Sequence, residues 1–139
     1  MPARRQPDTR STTPAEAKAY LTKAKEFLEA AVSSRELGNN AAAVGNAVHA
    51  GIAAADAIAG ARGGSVWRGE HGRAPAHLET AGGAEGRQAA RQLRRLLPLK
   101  NRAEYDPAPL STRQAAAAVQ AAERLFTIAS QVVAAATPD

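Results

Sequence analysis

The sequence predicts an all-α protein, an antiparallel bundle of four to five helices. Three observations point there. Apolar residues recur at three- and four-residue steps over most of the 139 positions, the spacing that builds one apolar stripe per helix. Two capping boxes, Thr13 to Glu16 and Ser111 to Gln114, mark helix starts. No segment alternates polar and apolar residues as a half-buried strand does. The length suits one domain, expected over 13–137, with residues 1–12 as a disordered basic tail.

Helix one starts at Thr13-Pro14, where the threonine caps an amide and proline fits the first helical position. Ala17, Tyr20, Leu21, Ala24, Phe27, Leu28, Ala31 and Val32 form its stripe, and Gly38 supplies a left-handed end. Asn39 and Asn40 are placed to cap helix two, AAAVGNAVHAGIAAADAIAGA. Its Ala47, Gly51 and Ala55 make a seam of small residues, suited either to tight packing inside the bundle or to a second subunit.

Glycines break helical continuity over residues 60–86, leaving room for a short helix from about Arg73 to Ala81, opened by Pro75. Trp67, the one tryptophan, reads as a cover over the core. A further helix from about Glu85 turns Ala89, Leu93, Leu96 and Leu97 inward and Arg87, Arg91, Arg94 and Arg95 outward. Pro98 must kink or end it, since proline removes an amide and clashes with the preceding turn. Pro107 forces Asp106 out of helical angles, and Ser111 opens the last helix, which runs to about Ala136.

Charge is concentrated. Arg4, Arg5 and Arg10 against Asp8 give residues 1–12 a net +2, and six cations against Glu85 and Glu104 give residues 84–104 a net +4, within a total of +5. Such a stripe is either a solvated arginine-rich face or a surface for a polyanion: RNA, DNA or an acidic partner. Helix two carries Asn46, His49 and Asp56 within roughly an 80-degree sector. That polar stripe faces water, makes a satisfied buried set, or serves a site in which Asp56 orients a cation and His49 exchanges a proton.

Other chemistries are disfavoured. There is no cysteine, so neither a disulfide scaffold nor a thiol nucleophile exists. His71 and His77 stand six apart, not at the four-residue spacing that places two imidazoles on one helix face, so no metal and no cofactor is expected. The basic start lacks the apolar region of a secretory signal, and no apolar stretch was expected to reach the roughly 18 to 20 residues of a membrane span. The expectation is a soluble, cytoplasmic protein without a membrane partner.

The order of AKEFLEAA, AVHAGIAAADAI, an arginine-rich helix running into LLPLKNRAEYDP, and a long final helix resembles the HEPN superfamily over roughly residues 14–136. Lys100, Ala103, Tyr105, Asp106 and Pro107 are the most specific part of the resemblance, which is to small stand-alone bacterial members. It implies a bundle that commonly dimerises around a cleft lined by helices two and three. Many members are metal-independent ribonucleases of toxin, CRISPR or other defence systems, some with a cognate regulatory protein; others bind a nucleotide or RNA without catalysis. Catalytic members carry an arginine, four to six intervening residues and a histidine. Here no arginine stands five to seven positions before His49, His71 or His77.

That departure favours a binding module, a homodimer whose basic cleft, with Arg87, Arg91, Arg94 and Arg95, takes RNA, a nucleotide or an acidic partner. The alternative is a ribonuclease. Cleavage without a metal needs a base, an acid and a cation for the phosphorane charge. Lys100 and Arg102 supply charge, Tyr105 positions a phosphate or donates a proton, and His49 with Asp56 assists.

Overall fold

Both capping boxes form in the computed structural model, which describes residues 8–136. Thr13 Oγ1 accepts from the Glu16 amide and Glu16 returns the bond to the Thr13 amide, each at 3.1 Å. Ser111 and Gln114 do the same at 3.0 and 2.8 Å. A cap of this kind stabilises a helix end by about 1 kcal/mol. The helices they open are α1 (Pro14–Glu36) and α5 (Thr112–Ala136).

Between them lie α2 (Asn40–Gly63), α3 (Ala74–Leu96) and the short α4 (Lys100–Tyr105), so the bundle is all-α in class. The three-residue turn after α1, with Gly38 at φ +78°, makes α1 and α2 antiparallel neighbours. Asn39 makes no side-chain cap; Asn40 Nδ2 instead donates to the Leu110 carbonyl at 3.0 Å, tying this turn to the segment before α5.

One part of the expected N-terminal tail is structured. Residues 1–7 lie outside the described residues, but Thr9–Ser11 form a strand, β1, paired antiparallel with β2 (Ser65–Trp67). Thr9 stands opposite Trp67 and Arg10 opposite Val66. Three-residue strands are too short to show alternation in the sequence. The connector was also read as looser than it is. Helix α2 runs on to Gly63, and α3 spans the expected short helix and the arginine-rich helix together, broken only at Gly83 (φ +65°, ψ −144°). That left-handed backbone is one that glycine adopts without strain.

Helix α2 is the core of the bundle, packed against α1, α3 and α5. By length and composition it is apolar enough to cross a membrane, contrary to the expectation that no stretch would be, and 61% of its most apolar window is buried by its neighbours. The small-residue seam is settled as well: a Cβ on Gly51 would lie 2.5 Å from Leu96 Cδ1 and 3.3 Å from Leu125 Cδ1. The seam thus packs inside the bundle. Pro98 acts as expected, ending α3 in a 3-10 turn (Leu97–Leu99) from which α4 departs, and Asp106 is extended at φ −80°, ψ 125°.

Candidate functional site

The polar stripe of α2 divides into three separate environments. Asn46 Nδ2 donates back to the Ala42 carbonyl at 2.9 Å. The His49 ring tilts against Phe27, 5.2 Å between centroids, and its Nε2 lies 3.6 Å from Glu104 Oε1 on α4. Asp56 is buried, 9% exposed, and faces a cation that the sequence reading did not single out.

That cation is Arg68, just past β2. Its Nη1 donates to both Asp56 carboxylate oxygens, at 3.3 and 3.2 Å, and to the Trp67 carbonyl at 2.7 Å. Its Nη2 donates to the Tyr20 hydroxyl at 2.8 Å, and the guanidinium lies 5.6 Å from the centre of the Tyr20 ring. Burial nevertheless dominates Asp56 and pushes its carboxyl up to about 6, against the attraction of Arg68 and Lys23.

The β pair holds Arg68 in place. The Arg68 amide donates to the Asp8 carbonyl at 2.6 Å and the Thr12 amide to the Gly64 carbonyl at 2.9 Å. Trp67 Nε1 donates to the Glu70 carbonyl at 2.7 Å, folding the ring over the following turn. The turn requires Gly69, since a Cβ there would lie 2.7 Å from Trp67 Cζ2 and 2.8 Å from Asp8 Cγ.

Behind this turn is a cavity of about 280 Å³. Asp56, Arg68, Trp67, His71 and His77 give it polar and aromatic groups, and Ile52, Leu78, Leu93 and Leu97 an apolar wall. Trp67 therefore lines a cavity rather than merely covering the core; its ring lies 5.7 Å from that of His77. A shallower cleft of about 500 Å³ adjoins it, sharing His71 and Leu97 and adding Arg94, Lys100 and Asn101. Partial burial, Lys100 and Arg68 lower the His71 pKa below its usual value, while Glu104 opposes them. Among the described residues no three histidine or carboxylate side chains gather as a metal-holding group.

The residues expected to act together are dispersed. Lys100 lines the cleft and Asp56 the inner cavity. Arg102 stays 3.9 Å from Asp106, one turn along, and Tyr105 is 78% exposed; neither lines the cavity or the cleft. Tyr105 is the last residue of the six-residue α4, which follows the 3-10 turn at Pro98. Arg87, Arg91, Arg94 and Arg95 are all exposed, and of these Arg94 alone reaches the cleft, where it also pairs with Glu79.

Arg68 was the omission, while His71 was weighed only as a metal ligand and Trp67 only as a cover. A signal for Arg68 existed: a carboxylate in a helix as apolar as α2 needs a partner when buried, and arginines of the adjoining connector were within reach. Compared with family models, with curated proteins and with solved structures, the chain matches none. The likeness to HEPN proteins rests on the residues that carry it.

Proposed function

We propose that the chain is a HEPN-like binding module, a cytoplasmic homodimer that holds a nucleotide, free or within RNA. The observation that supports this reading is that the two spaces adjoin. An apolar cavity, at whose side the buried Asp56 pairs with the exposed Arg68, shares His71 and Leu97 with a cleft that carries Lys100 and Arg94. One end suits a planar ring, the other a phosphate. The remaining exposed arginines of α3 extend the basic surface along which a strand would run.

The test is binding of labelled single-stranded RNA across a salt series, with molecular mass by light scattering in the same samples. Affinity should fall steeply with salt, and Lys100→Ala with Arg94→Ala should reduce the logarithmic slope by about 1 to 2. A flat salt response, or binding unchanged in the double variant, overturns the nucleotide reading; a monomeric mass removes the dimer.

One observation favours the ribonuclease reading. His49 lies beside Glu104, and His71 feels the charges of Lys100, Arg68, Glu104 and His49. Two imidazoles and a lysine near one cleft would provide base, acid and cation. Cleavage of mixed RNA in the presence of a chelator, lost in His71→Ala and His49→Ala, would favour catalysis; activity untouched by both changes would remove these histidines from it.

A further inference from the structure

The cavity is too small for an extended ligand. At about 280 Å³ it lies just under the range of typical small-molecule pockets, the size for one ring system. Its apolar wall and the Trp67 ring suit a flat aromatic group. What distinguishes it from a mere packing void is the pair at its side, because a dry apolar gap has no need of a carboxylate and a guanidinium.

Both groups retain hydrogen-bonding capacity. An ionised carboxylate offers about four acceptor sites, and among the described residues Asp56 accepts hydrogen bonds only from Arg68 Nη1. Of the five N–H donors of a guanidinium, Arg68 directs Nη1 at Asp56 and the Trp67 carbonyl and one Nη2 proton at Tyr20. A proton on Nη2 and the Nε proton remain. Both residues line the cavity, so acceptor capacity on Asp56 and donor capacity on Arg68 stand side by side at its wall.

We infer that this cavity is a guanine-reading subsite, in which Asp56 accepts from N1–H and the 2-amino group of the base and Arg68 donates to O6. The Watson–Crick edge of guanine carries two adjacent donors and one acceptor, the complement of this wall. Adenine presents a donor and an acceptor and lacks O6; uracil presents one donor between two acceptors. Recognition of an unstacked base by its Watson–Crick edge is the mode proteins use for single-stranded RNA. The phosphate then falls toward Lys100 and Arg94 in the adjoining cleft. This inference rests on the nucleotide reading above.

Trp67 is the only tryptophan and lines the cavity, so its fluorescence reports occupancy directly. The intact protein is titrated with the 5′-monophosphates of guanosine, inosine, adenosine and uridine, with ribose 5-phosphate, and with RNA hexamers containing or lacking guanine. The guanosine nucleotide is expected to bind best, about tenfold or more tighter than inosine monophosphate, which lacks the 2-amino group, and tighter still than the adenosine and uridine nucleotides. A preference larger in hexamers than in mononucleotides assigns the site to RNA; the reverse assigns it to a free nucleotide.

Asp56→Asn is expected to bring the guanosine and adenosine nucleotides to within about twofold of each other, its fold checked by thermal melting. Should that variant not fold, Ala55→Met narrows the cavity without altering a polar group and must abolish the advantage of guanosine monophosphate over ribose 5-phosphate. Equal affinity for all four nucleotides overturns the guanine subsite and leaves the nucleotide reading standing, as does a guanine preference that survives both substitutions. Absence of binding by every nucleotide and hexamer overturns both.

Discussion

Helix α2 serves two different halves of the molecule. Toward α1, α5 and the last turn of α3 it is lined by alanine, valine and glycine, and there the helices close up until Gly51 has no room for a methyl group beside Leu96 and Leu125. Against β2, α3 and the turn after β2, the same helix offers Ile52, Ala55, Asp56 and Ala59 to a space that is not filled. Small residues made close packing on one side and a cavity on the other. What differs is the partner: continuous helices settle onto a small-residue surface, whereas the turn after β2 faces the cavity with Trp67, Arg68, Gly69 and His71.

Substitutions in the two halves should therefore separate. The largest effect is expected at Leu125, fully buried on α5: Leu125→Ala should cost about 3 to 5 kcal/mol in chemical denaturation, the range for a large-to-small change with little room to relax. A smaller loss would mean that the packed half is looser than its contacts imply.

Next comes pH. A carboxyl raised from 3.8 to about 6 in the folded state binds its proton more tightly there than in the unfolded chain, so the contribution of Asp56 to stability is complete below about pH 4 and is lost as pH rises through about 6. The displacement corresponds to about 3 kcal/mol, and the pH slope should be absent from Asp56→Asn. Unfolding free energies of parent and variant at pH 4.5 and pH 7 measure it, and parallel curves would show that Asp56 is better solvated than its surroundings suggest.

The sharpest comparison pairs two added side chains on one helix. Gly51→Ala should cost about 1 to 3 kcal/mol because the methyl meets Leu96, while Ala55→Met, directed at the cavity, should change stability by less than about 1 kcal/mol. Equal costs in thermal melts would mean the cavity is closed in solution. The smallest effect belongs to Tyr105→Ala at the exposed end of α4, within about 0.5 kcal/mol in the monomer. Loss of dimer mass in that variant, with folding intact, would instead place Tyr105 at a subunit contact.

Much of the frame was legible beforehand. Thr13, Ser111, Pro98 and Pro107 act through their own backbone chemistry, which depends on residues at most a few positions away, and each does what that chemistry requires. The site was less legible. Lys100, Arg102 and Tyr105 were grouped through the family resemblance of their segment; Lys100 lines the cleft, whereas Arg102 and Tyr105 do not. His71 and His77 were judged by spacing for metals, though they share a cavity wall across a turn where helical spacing does not apply.

The sequence by itself determined the helical class, the starts of α1 and α5, the breaks at Gly38, Pro98 and Pro107, and the inward stripes, because capping, proline geometry and 3.6-residue periodicity are local. Tertiary structure alone decided that the small-residue seam faces inward, that β1 clamps β2, and that Arg68 reaches Asp56 and Tyr20. Those outcomes depend on which elements meet across 48 positions of chain, from Tyr20 to Arg68. A buried carboxylate states that it needs a partner, and only the packing of the bundle chooses which one.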